Sequence, residues 1–180
     1  MKFVTSLVCA AAAIACLPAA HADVLAKAKE SGEITFAYRE SSVPFSYLAG
    51  GQNAIGFSVD ISNAVADVVR KEIGKPDLKV KWQPVTSANR IPLIQNGTVA
   101  LECGSTTNNS ARNKDVDFAI NYFYTGTRVA VKKSSGIKNW ADLKGKTLAI
   151  TTGTTNLPVV RKYSADQKLD INITLAKDHA

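Results

Sequence analysis

The sequence predicts an α/β fold in which strands and helices alternate and most strands run parallel. Short segments rich in β-branched and aromatic residues alternate with segments in which apolar residues recur at helical spacing. Glycine and proline stand where several of these segments end, as is typical of helix stops and turns. Because strands separated by helices usually pair in the same direction, the alternation favours parallel sheets covered by helices.

The first predicted elements are a strand, a helix and a second strand. ITFAY at 34–38 is the first strand, and a polar loop follows at 39–45. A turn and a short extended piece at 53–57 lead to a helix, after which a glycine and a proline precede an alternating strand at 78–84. The apolar residues that mark one face of the helix are Ile61, Val65, Val68, Val69 and Ile73.

A second helix, a strand and a short helix follow. Thr86 or Ser87 is expected to cap the second helix, and Pro92 is tolerated near its first turn. A glycine ends this helix. The strand and the short helix are predicted at 99–103 and 108–114.

The second half of the chain is predicted to contain an extended aromatic segment at 118–124 and a strand, RVAVK, at 128–132. A single helical turn is expected next. A strand, a helix that follows Thr155 and a final strand complete the alternation. The turn is predicted at 140–143, the strand at 147–152, the helix at 156–165 and the final strand at 170–175.

Residues 1–22 have the composition of a secretory signal peptide. A lysine precedes an almost wholly apolar stretch at 3–19, and Ala20-His21-Ala22 matches a signal-peptidase site. We therefore expect cleavage before Asp23 and a periplasmic location. A membrane anchor and a lipid attached to Cys16 are the alternatives.

The charge of the chain favours a small anionic ligand over a nucleic acid. Lys and Arg number 22 against 15 Asp and Glu, a formal net charge of +7. The basic residues are scattered, without the dense basic helix or aromatic platform expected of a nucleic-acid-binding protein.

Gly145-Lys146-Thr147 resembles the end of a phosphate-binding loop, but Trp140 stands where that motif needs glycine. We expect a monomer with no metal and no cofactor.

Cys103 is the only cysteine outside the predicted signal peptide. In an oxidising compartment, a single cysteine is either a buried free thiol or is paired with a cysteine beyond residue 180. Both interpretations stay open from the sequence.

The segment from 84 to 112 contains groups that bind carboxylates. Two arginines, Arg90 and Arg112, flank hydroxyl residues at 105–107. Guanidinium groups meet a carboxylate with two parallel hydrogen bonds, and hydroxyl and backbone N–H groups at a strand-to-helix turn add further donors. The segment holds little that could perform covalent chemistry. It therefore predicts a protein that binds an anionic small molecule without changing it.

Seven short motifs spread over the chain carry a family resemblance. They are RESSVPFSY at 39–47, GFSVD at 56–60, NRIPL at 89–93, ECGSTTN at 102–108, WADLKGK at 140–146, TGTT at 152–155 and AKDH at 176–179. Together they resemble bacterial solute-binding proteins of family 3, the periplasmic receptors of polar amino-acid importers of the ABC type. The likeness covers essentially everything after the signal peptide and is strongest to members that bind glutamate and aspartate.

The resemblance implies a periplasmic-binding-protein-like fold of type II, with two α/β lobes joined by a hinge and the ligand between them. Residues 1–22 would be the signal peptide, 23–124 the first lobe, and 125–180 the hinge with part of the second lobe. Family members continue further, so the second lobe is expected to be incomplete in this chain. The aspartate that binds the ligand's ammonium group in the family is expected beyond residue 180.

The resemblance also implies which residues bind the ligand. Those expected at the α-carboxylate of an amino acid are Ser105, Thr107 and Arg112. Thr154 and Thr155 are expected to supply donors from the second lobe, on the other side of the cleft. Those expected at a second carboxylate, on the side chain of an acidic amino acid, are Arg39, Ser87, Arg90 and His179. The alternatives are solvated surface positions for the arginines, an ion pair between Arg39 and Glu40, and helix capping by the two threonines.

The implied function is that of the substrate-binding component of an ABC importer. It would bind glutamate or aspartate, close around the ligand by hinge motion and deliver it to the permease subunits in the membrane. One alternative on the same fold is a cyclohexadienyl-dehydratase-like enzyme, with Glu40, Glu102 or His179 as general acid or base. Another is the ligand-sensing domain of a membrane receptor. No catalytic arrangement of these residues is apparent, so we expect no enzyme activity.

Overall fold

The computed structural model describes residues 23–179. The predicted signal peptide at 1–22 lies outside the described residues. Within them, helices and strands follow one another in the α/β order expected from the sequence. Across residues 23–179, none of the helices is both long and apolar enough to cross a membrane.

Helix α1, Val24–Ser31, has no counterpart among the predicted elements. The Asp23 carboxylate caps it by accepting hydrogen bonds from the backbone N–H groups of Leu25 and Ala26, at 3.0 and 3.3 Å. Ala28 is its only buried residue. The helix therefore lacks the broad apolar stripe by which a helix is recognised in a sequence.

A three-stranded parallel sheet forms the centre of the first part of the structure. The strands of this part are β1, Glu33–Tyr38; β2, Ser41–Ser42; β3, Ser46–Tyr47; β4, Lys79–Pro84; and β5, Leu101–Glu102. The sheet has the order β4-β1-β5, with Ile34 beside Val80 and Phe36 beside Leu101. The short strands β2 and β3 form an antiparallel pair, in which β2 lies within the predicted polar loop at 39–45 and β3 directly follows that loop.

Helices cover both faces of this sheet. Helix α1 lies with α2, Phe57–Glu72, on one face, and α3, Arg90–Gln95, packs on the other. The first face buries Ala28, Ile34, Phe36, Ala66, Ile73 and Leu78. The second buries Ala37, Val85 and Val99, with Leu93 and Ile94 packed against them. Because the sheet is covered on both faces, β1 shows no simple alternation of buried and exposed residues. We call these elements the N-terminal unit.

Helix α2 begins earlier than predicted and buries a different face. Phe57, predicted to be extended, is already its first residue. Val68, predicted on the apolar face, is 66% exposed, whereas Ser58 and Ser62 are buried. The Ser62 hydroxyl donates to the Ser58 carbonyl at 2.9 Å, so this buried hydroxyl is satisfied within the helix. Apolar periodicity alone does not reveal a buried face that contains serine.

The second part of the structure is a parallel β–α–β unit. It consists of β6, Thr147–Thr151; α4, Asn156–Asp166; and β7, Asn172–Ala176. These bounds agree with the predicted positions to within two residues, and a 3-10 turn at Trp140–Leu143 precedes them as expected. Leu143, Ile150, Val160 and Leu169 are its buried apolar residues. We call residues 140–179 the C-terminal unit.

The segment between the two units contains no strand. The prediction of a strand at 128–132 is therefore wrong, and the aromatic segment at 118–124 forms no backbone ladder with a strand of the described residues, although Phe123 packs on Phe45 and Tyr122 on Phe57. The alternating residues at 128–132 suit a strand, but a strand also needs a partner for its backbone N–H and C=O groups. The aromatic segment likewise has no strand partner, and in it Ile120 is 92% exposed and Tyr124 is 82% exposed.

The short helix predicted at 108–114 is reduced to a 3-10 turn at Arg112–Lys114. The Asn109 side-chain oxygen accepts a hydrogen bond from the backbone N–H of Arg112 at 2.9 Å. An asparagine that bonds the backbone in this way competes with a regular helical turn. The backbone before Arg112 therefore stays irregular.

Cys103 is a buried free thiol within the part of the chain that the structure describes. Burial raises the pKa of this thiol. The thiol is therefore neutral near pH 7 and a weak nucleophile. Pairing with a cysteine beyond residue 180 stays a prediction.

Candidate functional site

The residues predicted to bind a ligand all follow the carboxyl ends of strands. In the N-terminal unit they come after β1, β4 and β5, and in the C-terminal unit after β6 and β7. In that order they are Arg39; Ser87 and Arg90; Ser105, Thr107 and Arg112; Thr154 and Thr155; and His179. Because the carboxyl ends of parallel strands meet at one edge of a sheet, each unit presents its set at a single edge. Contacts between the two sets show that these edges face each other.

Arg112 connects the two edges. Its guanidinium donates to the carbonyl of Thr107 at 2.9 Å and to the carbonyl of Gly153, in the other unit, at 3.0 Å. The hydroxyls of Thr107 and Thr155 lie 3.2 Å apart across the same boundary. Burial lowers the pKa of Arg112. Thr107 and Arg112, two of the three residues predicted at the α-carboxylate, therefore contact residues of the C-terminal unit at this boundary.

Arg39 is completely buried at this boundary. Its Nη2 forms an ion pair with Oδ1 of Asp178, and its Nη1 lies 3.4 Å from the Ser105 hydroxyl. Ser46 accepts from the Arg39 backbone N–H at 2.8 Å and donates to its carbonyl at 2.9 Å, which fixes the backbone. The alternative of an ion pair with Glu40 is wrong, because Glu40 is exposed and the carboxylate comes from the C-terminal unit.

Arg90, the first residue of α3, is 2% exposed, so the alternative of a solvated surface arginine is wrong. Its Nη1 lies 3.9 Å from Oε1 of Glu102, too far for a hydrogen bond. The other oxygen of Glu102 accepts from the Thr106 hydroxyl at 2.6 Å. Burial lowers the pKa of Arg90 to about 10. The guanidinium therefore stays charged at neutral pH while lacking most of its solvation.

Ser87 is not used to cap the helix that follows it. Thr86 and Asn89 bond each other instead: the Asn89 side-chain oxygen accepts from the Thr86 N–H at 2.7 Å, and the Thr86 hydroxyl accepts from the Asn89 N–H at 3.3 Å. Ser87 is 3% exposed, and its hydroxyl has no partner within residues 23–179. The hydrogen-bonding capacity of this hydroxyl is therefore unused among the described residues.

Three hydroxyl residues make contacts other than those expected from the sequence. Ser105 lies with Arg39, so its hydroxyl stands in the group predicted for the second carboxylate. The hydroxyl of Thr154 donates to the carbonyl of Thr151 at 2.8 Å, inside the C-terminal unit. Thr155 precedes the first residue of α4, but its side chain makes no capping hydrogen bond. The capping alternative is therefore wrong for the Thr155 hydroxyl.

His179 is held at the boundary although it stands near the end of the chain. Its Nδ1 lies 3.1 Å from the Thr151 hydroxyl. Burial lowers the pKa of His179, and the positive charges of Arg39 and Arg90 lower it further. Because the ordinary pKa of histidine is about 6.5, the imidazole is neutral at pH 7.

Several buried polar atoms without a partner belong to residues at this boundary. Among the described residues they are Arg39 Nε, Ser41 Oγ, Ser87 Oγ, Arg90 Nε, Arg90 Nη1 and Glu102 Oε1. All but the last can donate a hydrogen bond. An unpaired buried donor costs about 1–3 kcal/mol, and native proteins contain few of them. The cleft therefore has the chemistry to receive acceptor groups such as the oxygens of a carboxylate.

Three residues of this cleft lie outside the predicted set: Glu102, Asp178 and Gly153. The two carboxylates face buried arginines. Because buried guanidinium groups need counter-ions, the acidic residues inside the motifs at 102–108 and 176–179 could have been predicted as partners of the arginines. Gly153 packs against Ser87, and nothing in the sequence pairs these two positions. In residues 23–179 no group of three His, Cys, Asp or Glu side chains is placed to hold a metal ion.

Comparisons with known proteins agree with the fold. The glutamate/aspartate import solute-binding protein of Salmonella typhimurium is 49% identical over 155 residues, which cover 86% of this chain and 51% of that protein. The L-glutamate/L-aspartate-binding protein of Pseudomonas aeruginosa is 49% identical over 156 residues, covering 86% and 52%. The chain thus spans about half the length of these curated relatives.

A solved structure extends the comparison to three dimensions. An ancestral arginine-binding protein bound to arginine superposes with a TM-score of 0.67 and 28% identity, over 81% of this chain and 61% of that one. The expected type II periplasmic-binding-protein fold is thereby confirmed. The sequence model for bacterial extracellular solute-binding proteins, family 3, matches residues 34–179, which is most of the chain. This protein therefore belongs to family 3 of the bacterial extracellular solute-binding proteins.

Proposed function

We propose that this protein binds an acidic amino acid, L-glutamate or L-aspartate, between its two units and delivers it to the permease of an ABC importer. The observation that carries the proposal is the set of buried, unpartnered donors on Arg39, Ser87 and Arg90. A ligand with a second carboxylate would satisfy them. Two relatives at 49% identity are named for glutamate and aspartate binding, which supports this ligand class.

In this proposal the two carboxylates of the ligand have separate partners. Arg112, Thr107 and Thr155 bind the α-carboxylate, because their groups already meet across the boundary. Arg90 and Ser87 bind the side-chain carboxylate with donors that have no protein partner in the described residues. Thr154, Ser105, Arg39 and His179 line the same cleft. The ligand stabilises the closed arrangement because residues of both units contact it.

The residues proposed for an enzyme are already committed to other contacts. Glu102 accepts from the Thr106 hydroxyl and faces Arg90, and Glu40 is exposed. His179 bonds Thr151. These contacts favour a carrier that releases its ligand unchanged. A role in import places the protein in the periplasm, where it meets the permease.

Calorimetric titration of the protein with L-glutamate, L-aspartate, L-glutamine and L-arginine tests the proposed function. We expect the two acidic amino acids to bind more tightly, because only they carry a second carboxylate for Arg90. A ligand present at one hundred times its Kd should also add about 2.7 kcal/mol to the free energy of unfolding. Equal or tighter binding of glutamine would show that the second carboxylate is not recognised.

The variant Arg90→Met tests the role of Arg90 in selectivity. Charge-assisted hydrogen bonds contribute about 1.5–3 kcal/mol, so we expect the ratio of glutamate to glutamine affinity to fall by about tenfold or more. Removing Arg90 also leaves Glu102 buried without a counter-ion. The double variant Arg90→Met, Glu102→Gln removes that charge and should show the same loss of selectivity. An unchanged ratio in both variants would assign the second carboxylate to other residues.

A further inference from the structure

The loop at residues 104–108, here called the site loop, follows β5 and carries two predicted ligand-binding residues, Ser105 and Thr107. Within the described residues this loop forms no helix or strand, and its backbone makes no hydrogen bond to another backbone group. A loop of this kind keeps a single shape only if side chains bond its N–H and C=O groups. The side chains that hold the site loop therefore decide where its two hydroxyls stand.

The Tyr122 hydroxyl holds one end of the site loop. It donates to the Gly104 carbonyl at 2.7 Å and lies 3.1 Å from the Ser58 hydroxyl. Because the single phenolic proton is used on the carbonyl, Ser58 is the donor to Tyr122. Burial raises the pKa of Tyr122, so the phenol keeps this proton at neutral pH. Two hydroxyls in series thus connect the buried start of α2 to the backbone of the site loop.

Tyr122 is itself held in place, although it lies in the segment between the two units. Its ring packs edge-to-face on Phe57, with ring centroids 5.7 Å apart. Ser58, which bonds its hydroxyl, is 0% exposed. Asn121, the preceding residue, accepts a hydrogen bond from the Asn108 side-chain amide at 3.3 Å, at the other end of the site loop. The segment between the units therefore contacts both ends of this loop.

We propose that Tyr122 is a positioning residue, whose hydroxyl holds the site loop in the shape that presents Ser105 and Thr107 to the ligand. This inference rests on the proposed function, because it concerns the same cleft. The hydroxyl is used on Ser58 and Gly104, so Tyr122 acts through the loop rather than on the ligand. A loop that is held before the ligand arrives loses less conformational freedom on binding, which increases the affinity.

Tyr122→Phe tests this role, because it removes the hydroxyl and keeps the ring that packs on Phe57. The net contribution of one hydrogen bond corresponds to about 2- to 12-fold in an equilibrium constant. We therefore expect the Kd for L-glutamate, measured by calorimetry, to rise by about that factor.

NMR order parameters of the backbone amides at 105–107, measured without ligand, give the second readout. We expect them to fall in Tyr122→Phe from the values of a rigid backbone, about 0.85, toward those of a flexible loop, below about 0.6. A substitution that only lowers the free energy of unfolding leaves the order parameters of the folded molecules unchanged. This readout therefore separates positioning from a loss of stability.

Tyr124→Phe is the matched control, because it removes the same hydroxyl from a side chain that is 82% exposed. Neither the Kd nor the order parameters should change in it. Tyr122→Phe also leaves the buried Ser58 hydroxyl without its acceptor. The double variant Ser58→Ala, Tyr122→Phe removes that unpaired group and should show the same rise in Kd. Ser58→Ala alone keeps the bond from Tyr122 to Gly104 and should show a smaller rise.

The outcomes separate this inference from the proposed function. If the unmodified protein binds no acidic amino acid, the proposed function fails and the inference fails with it. If the unmodified protein binds glutamate but Tyr122→Phe leaves the Kd or the order parameters unchanged, the inference is overturned while the proposed function stands. A rise in Kd that Ser58→Ala or Tyr124→Phe reproduces in full would assign the effect to something other than the bond to Gly104 and also overturn the inference.

Discussion

Replacing Arg112 by alanine is expected to remove binding of every amino acid, acidic or neutral. Its guanidinium already donates to backbone carbonyls of both units, to Thr107 on one side and to Gly153 on the other. An α-carboxylate is common to all amino acids, so the loss of Arg112 as the partner of that carboxylate affects all of them equally. Losing one partner of a buried, hydrogen-bonded charge pair costs about 2–5 kcal/mol, or at least about 30-fold in Kd.

Calorimetry with L-glutamate and L-glutamine measures this loss, and two variants serve as controls. Arg161→Ala removes an exposed arginine of α4 and should bind both ligands normally. Arg112→Lys keeps the charge but not the planar pair of donors, so we expect it to bind weakly as well. If folded Arg112→Ala binds glutamate with unchanged affinity, the assignment of the α-carboxylate to Arg112 is wrong.

Replacing Gly153 by alanine is expected to prevent the two units from closing on each other. A Cβ atom at this position would lie 2.5 Å from the Ser87 carbonyl oxygen and 2.6 Å from the Ala88 Cα. Both are backbone atoms, which no side-chain rotation can move away. Overpacking of this kind costs about 1–3 kcal/mol, so we expect the Kd for glutamate to rise about 5- to 150-fold.

Gly145→Ala is the matched control for this prediction. Gly145 has φ +66° and Gly153 has φ +71°, so an alanine is strained at either position. No atom lies within 4 Å of a Cβ added at Gly145. Both variants should therefore lose folding stability in thermal unfolding, but only Gly153→Ala should lose affinity. Equal affinity in the two variants would mean that the contact between Gly153 and Ser87 does not limit closure.

The central elements of the fold were predictable because each has a strong local signal. The β-rich run of β1, the alternating residues of β4 and the glycine and threonines before α4 all act within a few residues. Elements that depend on distant partners were not. RVAVK at 128–132 has a strand sequence but no neighbouring strand in the described residues, and α1 has too little apolar surface to be recognised.

The candidate site could be proposed from the sequence as a set of residue types but not as a set of contacts. Arg39, Arg90 and Arg112 stand out in the sequence because arginine is the usual partner of a carboxylate. Their counter-ions do not stand out: Asp178 is 139 residues away from Arg39, and Glu102 ends a strand. Only charge balance, applied to a site with three arginines, would have directed attention to these carboxylates.

From the sequence alone follow the α/β class, the positions of the main strands along the chain and the residue types of a candidate anion-binding site. These depend on local spacing and on residue type, which the chain carries with it. The tertiary structure alone decides which side chains meet, because ion pairs and close contacts join residues far apart in sequence. Arg39 with Asp178, Arg112 with Gly153, and Gly153 with Ser87 exist only when the strand ends of two units face each other.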